Sequence, residues 1–323
     1  MKSYLVTGGA GFIGSNIVER LITEGHRVRV VDNLSTGKIE NIIEFMDDIE
    51  FIKGDLSDYR IAKQAVSGMD YIIHQAAIPS VPFSIKNPVK ANQSMVTATV
   101  NLFKAAVESG CVSRIVQAAS AAAYGNNPEL PKREDMLPEP LSPYAAAKLM
   151  QEYYAKTFYS SYGLETISLR YFNVFGPKQD PKSPYSGVIS IFMSQMLQEK
   201  QPTIFGDGTT SRDFVFVEDV VKANLLALSC DWTGNSEVIN IGRGKSINLN
   251  ELIMLLNEIL ETDITPLYGP ERAGDVKHSI ADISKAEKLF GYSSSVNLKE
   301  GLQKLIEWYR NISGVKAKVK VSC

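Results

Sequence analysis

The chain has 323 residues, 44% hydrophobic and 22% charged, with 23 Gly and 14 Pro. That balance belongs to a globular protein with one large domain, or a large domain and a smaller one, and it excludes disordered and fibrous classes. A net charge of −2 gives no basic field for nucleic acid or acidic membranes. No apolar run approaches the ~20 residues of a membrane span. Three cysteines, Cys111, Cys230 and Cys323, lack C-x-x-C spacing and offer neither a disulfide framework nor a zinc site.

The opening MKSYLVTGG runs straight into a strand over Ser3–Thr7, which leaves no room for a signal peptide, so a soluble cytoplasmic protein is expected. A glycine-rich turn follows, Gly8-Gly9-Ala10-Gly11-Phe12-Ile13-Gly14, and then a helix over Phe12–Glu24. Glycines at 8, 11 and 14 let the chain turn tightly, admit a pyrophosphate to the backbone and pack helix on strand. The phosphates then lie at a positive helix N-terminus. The second strand, Arg27–Val31, ends beside Asp32. A carboxylate there accepts from adenine-ribose hydroxyls and repels a 2′-phosphate, which favours NAD over NADP.

Further strands are predicted at Glu50–Ile52, Tyr71–His74, Arg114–Ala118 and Thr166–Leu169, with helices at Val96–Ser109 and Pro143–Tyr159. Apolar strands alternating with helices predict an α/β fold, a Rossmann-type doubly wound parallel sheet. Past Phe172 the alternation loosens into Gly/Pro/Ser/Asp-rich loops (Gly176–Gly187, Gly206–Arg212, Tyr268–Asp275) with helices at Asn248–Glu261 and Leu298–Asn311. The expected division is 1–172 for the cofactor domain and 173–312 mainly for a smaller α/β substrate domain, with chain crossovers back to the first. Residues 313–323 read as a tail.

The chemistry is concentrated after Ser142-Pro143, an N-cap followed by a proline suited to the first helical position. Tyr144 and Lys148 then share one face of the helix. A free phenol near pKa ~10 is a poor base at neutral pH. A neighbouring ammonium and the positive helix end both favour phenolate. Alone, such a pair is a common surface feature; behind a Rossmann-like half, with Ser120 ending an upstream strand, it reads as catalytic.

These residues resemble the extended short-chain dehydrogenase/reductases, and within them the nucleotide-sugar epimerases, nearest the UDP-N-acetylglucosamine and UDP-glucose 4-epimerases. The likeness covers residues 1–312. It rests on Asp55-Leu56, His74-Gln75-Ala76-Ala77, Ser120 to Gly125, Arg170 to Pro177, Gly206-Asp207-Gly208, Arg212-Asp213-Phe214 and Arg272-Ala273-Gly274-Asp275. The resemblance implies that Tyr144 is the base on the sugar 4-hydroxyl, Ser120 bonds that hydroxyl, and Lys148 holds the nicotinamide ribose. It places Asp55 and Leu56 at adenine and Gln75, Ala76 and Ala77 at the phosphate and nicotinamide side. Phe12, Ile13, Asn33, Ser35, Gly37 and Tyr171 complete the implied cofactor set. Asn173, Arg212 and Arg272 are assigned to the diphosphate, with Val188, Phe205, Asp275 and Ser279 around the sugar nucleotide. Arginine suits phosphate through permanent charge and forked donors.

The implied reaction is NAD-dependent 4-epimerisation of a UDP-hexose through a transient 4-keto sugar, with no metal and no net redox. Dehydratase and decarboxylase relatives carry acids after the Ser/Thr position; here that stretch is Ala121-Ala122-Ala123, which favours epimerisation. Met95 falls where the family often has a cofactor-supporting asparagine, and Asn92 is the nearest replacement. The small Ser279 aligns with a site that is bulky in enzymes restricted to UDP-glucose/galactose. UDP-N-acetylglucosamine/UDP-N-acetylgalactosamine is therefore expected, with UDP-glucose/UDP-galactose beside it. The alternatives are UDP-glucuronate or UDP-N-acetylglucosaminuronate epimerisation, a dehydratase or decarboxylase, and a non-catalytic NAD-binding scaffold. The helices at 96–109 and 143–159 are expected to form a four-helix homodimer interface, as in the family.

Overall fold

A computed structural model describes residues 1–180, 187–231, 236–271 and 276–313. In chain order the first half comprises β1 (Ser3–Thr7), α1 (Phe12–Thr23), β2 (Arg27–Asp32), β3 (Ile49–Lys53), α2 (Tyr59–Val66), β4 (Tyr71–His74), α3 (Val81–Lys86), α4 (Pro88–Asn92), α5 (Ala98–Ser109), β5 (Arg114–Ser120), α6 (Pro143–Tyr162) and β6 (Thr166–Tyr171). The second half comprises β7 (Asn173–Phe175), α7 (Val188–Met196), β8 (Thr203–Phe205), β9 (Ser211–Phe216), α8 (Val217–Ser229), β10 (Glu237–Ile241), β11 (Ser246–Asn248), α9 (Leu249–Leu260), β12 (Leu267–Gly269), α10 (Ser284–Phe290) and α11 (Leu298–Ser313).

Seven parallel strands form the main sheet in the order β10-β6-β5-β4-β1-β2-β3. Period-two alternation sorts its side chains to two cores. Val6, Val30, Ile73 and Val116 pack on one face with α1 and α8. Leu5, Val31, Ile72 and Ile115 face the other way, onto α2 and α5. Both faces are covered, which is why these strands read as continuous apolar runs. The chain reverses its winding direction between β1 and β4, and the crevice over their carboxyl ends is where such sheets take ligands.

A three-stranded sheet (β11-β9-β7) and a two-stranded one (β12-β8) lie in the second half, over a separate core that includes Phe175, Phe192, Phe216, Leu252 and Leu305. Within 173–312, β10 pairs in parallel with β6, and α8 packs against the first-half core. The strand is short and follows loop-rich sequence, so only the edge that β6 leaves open identifies where it pairs.

Candidate active site

The glycine-rich turn forms because its backbone leaves no room for side chains. Gly8 sits at φ +67°, and a Cβ there would lie 2.8 Å from Cα of Ala76. A Cβ on Gly14 would meet the carbonyl oxygen of Gly8 at 2.2 Å. Gly11 caps α1 without any side-chain bond, so the helix N-terminus stays open to the crevice.

One cleft of about 600 Å³ lies over this turn. It is lined by Gly8, Gly11, Phe12, Ile13, Gly14, Asp32, Asn33, Ser35, Gly37, Asp55, Leu56, Gln75, Ala76, Ala77 and Tyr171, together with Ser120, Tyr144 and Lys148. Asp32 is buried at the end of β2 and accepts from Ala10 N–H (3.0 Å) and Leu34 N–H (2.8 Å). Burial raises its pKa, and those two bonds pull it back. Asn33 donates to Asp55 at 3.0 Å. Burial pushes Asp55 upward, but bonds from Ser57 and Asn33 and the charge of Lys90 leave it below the usual carboxylate range. A backbone cradle that excludes any Cβ, an open helix end and a carboxylate beside them fit a dinucleotide. The volume falls among ordinary cofactor sites.

At the other end, α6 starts as its sequence requires: Ser142 Oγ accepts from Ala145 N–H at 3.1 Å, with Pro143 in the first turn. Tyr144 is half-buried and Lys148 is 3% exposed. Burial raises the Tyr144 phenol, and a hydrogen bond from Ser120 lowers it. The Lys148 ammonium donates to the Ala118 carbonyl at 2.7 Å. Burial brings its pKa down to about 8, and the charge of Glu152 raises it. The sequence led us to expect a depressed phenol; in the protein alone, desolvation outweighs the Ser120 bond. The three side chains nonetheless line the same cleft, an arrangement chemically able to pass a proton.

Several cleft residues were not assigned to the site from the sequence. Lys38, Lys178 and Asp180 line the cleft, and Lys38 pairs with Asp180 at 2.5 Å. Fully buried Asn224, on α8, accepts from the Tyr171 hydroxyl at 3.0 Å, and Gln75 donates to that hydroxyl at 3.0 Å. No local sequence signal links positions so far apart. Asn92 is exposed and does not line the cleft, because the helix turns it outward; Ser94 faces the cleft instead.

Asn173, Val188, Phe205, Arg212 and Ser279 lie outside this cleft. Three of them group by strand pairing: Asn173 donates to Asp213 O at 3.2 Å, Arg212 donates to Ser211 O and Lys277 O, and Ser279 N–H bonds Ser211 O. Phe205 stands exposed at the end of β8. Val188 opens α7. Arg272 and Asp275 lie outside the described residues.

His74, at the end of β4, is wholly enclosed. Thr7 Oγ1 lies 2.7 Å from its Nδ1 and Thr99 Oγ1 2.9 Å from its Nε2. Burial, aided by the charge of Lys148, drops its pKa to about 3. Below the unfolded value near 6.5, the unfolded chain takes a proton that the folded one refuses. Stability should therefore fall with acidification, by about 1.4 kcal/mol per pH unit well below 6.5. Thermal melts between pH 7 and 5 should show a shallower pH slope for His74→Asn than for wild type. Identical slopes would mean that His74 titrates normally in the fold.

A profile of the NAD dependent epimerase/dehydratase family matches residues 4–242. A solved UDP-N-acetylglucosamine 4-epimerase from Methanobrevibacter ruminantium, in complex with UDP-N-acetylmuramic acid, is 42% identical, with 96% of this chain and 99% of that one covered and a TM-score of 0.91. The Thermus thermophilus UDP-glucose 4-epimerase, solved with NAD, is 35% identical over 95% of this chain and 99% of its own, at a TM-score of 0.86. A UDP-glucuronate 4-epimerase from Thermodesulfobacterium geofontis is 34% identical over 98% of this chain and 99% of its own length. Among the described residues no helix is long and apolar enough to cross a membrane. With the glycine cradle, Asp32 and the Ser120–Tyr144–Lys148 cluster sharing one cleft, and with likeness along nearly the whole length of these relatives, the chain belongs to the NAD dependent epimerase/dehydratase family.

Proposed function

We propose that this protein interconverts the C4 epimers of a UDP-hexose, with UDP-N-acetylglucosamine and UDP-N-acetylgalactosamine as its main pair and UDP-glucose/UDP-galactose as a second. The observation that carries the reading is the single cleft holding the dinucleotide cradle and Ser120, Tyr144 and Lys148 together, next to Ala121–Ala123, where no acid is present to expel water. Bound NAD supplies hydride acceptance and return at C4. Tyr144 takes the proton of the 4-hydroxyl and gives it back; Ser120 orients that hydroxyl and the phenol; Lys148 contributes positive charge that favours phenolate. Asn173, Arg212 and Arg272 anchor the diphosphate, so binding energy far from C4 holds the nucleotide while the sugar turns over. The N-acetyl preference is supported by the small Ser279 and by the Methanobrevibacter ruminantium relative. A homodimer through α5 and α6 belongs to the same reading; Met150 and Tyr153 stand exposed on α6.

The test is incubation of purified protein with UDP-N-acetylglucosamine, UDP-glucose and UDP-glucuronate in separate reactions, scoring C4 epimers by chromatography. Conversion of the first should be fastest and should leave no accumulated NADH. Turnover of UDP-glucuronate alone would replace this reading with the uronate one.

A further inference from the structure

A second cavity, of about 800 Å³, lies between α6, the start of β10 and the loop over 133–138. It shares no lining residue with the cofactor cleft, and its volume falls within the roughly 300–1,000 Å³ of small-molecule sites. Two of its lining residues are almost wholly buried and keep a polar side-chain atom unpaired. These are Arg170, 2% exposed, through Nη1, and Ser236, 7% exposed, through Oγ. Arg170 gives Nε and Nη2 to Glu152, which leaves Nη1 without an acceptor. A buried donor in that state costs about 1–3 kcal/mol, and native proteins leave few of them. Two lining one cavity mark a place where a ligand's acceptors would be welcome.

The charges around them decide what kind of ligand. Arg170 is paired with Glu152, Lys285 with Glu237 and Arg133 with Asp135. Lys156 lines the cavity too, but it is exposed. Against it stand the carboxylates of Glu134 and Asp282, which accept backbone N–H bonds from Asn240 (2.8 Å) and Ser284 (2.9 Å) and retain further lone pairs. A phosphate or carboxylate ligand would meet those two as like charges. A hydroxyl both donates and accepts, so it suits the open donors of Arg170 and Ser236 and the open acceptors of Glu134 and Asp282 alike. Met136, Leu149 and Val238 add an apolar wall for the carbon face of a ring. We propose that this cavity is a second binding site, separate from the cofactor cleft, for a neutral polyhydroxyl ligand of monosaccharide size.

The experiment is saturation-transfer NMR on the full chain with NAD, before and after excess UDP is added to occupy the cleft. The probes are D-glucose, N-acetylglucosamine and myo-inositol, with acetate as the charged control. Transfer to at least one neutral probe should persist in the presence of UDP, with none to acetate. Ser236→Ala, which removes one donor, should raise that probe's Kd roughly three- to tenfold. Val238→Trp, which fills the cavity, should abolish transfer; Val238→Phe replaces it if thermal melts show the tryptophan variant to be unfolded. No transfer to any neutral probe, transfer to acetate alone, or transfer that vanishes with UDP would overturn the proposal. So would an unchanged Kd in Ser236→Ala or surviving transfer in the folded Val238 variant. None of these results bears on the cleft, whose reading stands or falls with epimerisation of UDP-sugars.

Discussion

Tyr144→Phe should lower turnover by about three orders of magnitude while leaving the fold, NAD binding and UDP-sugar binding in place. The substitution removes one oxygen from a side chain whose ring packs against Met95 and Ala147. Phenylalanine keeps that packing, and the backbone N–H of residue 144 keeps its bond to Ser84 Oγ (3.1 Å). What disappears is the group proposed to carry the proton of the sugar hydroxyl. General acid–base catalysis contributes about 10²–10⁴-fold, and in the proposed reaction the phenol acts in both half-reactions, which places the expected loss near the middle of that range. Single-turnover epimerisation and dialysis against NAD, run on the same preparation, separate the two effects. Near-normal turnover would remove Tyr144 from the chemistry; lost NAD binding would make its role architectural.

The second large effect is expected at Glu152, one helical turn beyond Lys148. Its carboxylate accepts from Arg170 Nε (2.9 Å) and Nη2 (2.8 Å), with both side chains almost entirely out of water. The Arg170 guanidinium also lies 4.7 Å from the Tyr124 ring centre. Removing one partner of such a pair strands a buried charge and costs about 3–5 kcal/mol. Glu152→Leu should lose stability of that order in urea unfolding. Glu152→Gln keeps an acceptor for Arg170 and serves where leucine prevents folding. Its charge is gone, however, and that charge raises the pKa of Lys148. Lys148, now at about 8, should then deprotonate at lower pH, and the alkaline limb of kcat/KM should move down with it. The charged or titrating groups facing Lys148 are His74 from β4, Glu152 and Tyr144 from its own helix, and Arg170 behind Glu152. With His74 neutral across this range, the alkaline shift isolates Glu152. An unchanged profile together with less than about 1 kcal/mol lost would show the pair to be idle.

The parallel half of the fold was readable because its inner β-strands are buried on both faces, so their apolar runs need no partner to be seen. β1, β4 and α6 begin where their sequence signals place them. β10 and α8 were not assigned to the first core, since whether a short apolar stretch completes a distant sheet depends on which edge is vacant. The same holds for the site. The glycine turn, Asp32, Ser120, Tyr144 and Lys148 are local motifs whose spacing along the chain already implies chemistry. Asn224 behind Tyr171, Asp180 beside Lys38 and Ser94 in place of Asn92 are products of packing.

What the amino-acid order determined by itself was therefore the set of reactive groups and the frame that carries them, because turn chemistry, helix capping and strand burial act within a few residues. Only the tertiary structure decided how those groups are tuned and supported. Burial, which no local pattern reports, raises the Tyr144 phenol, lowers Lys148 and silences His74. Packing of α6 against the π-helical turn Gln93–Thr97, which helical periodicity does not foresee, buries Met95 beneath Tyr144, and the neighbouring Ser94 lines the cleft.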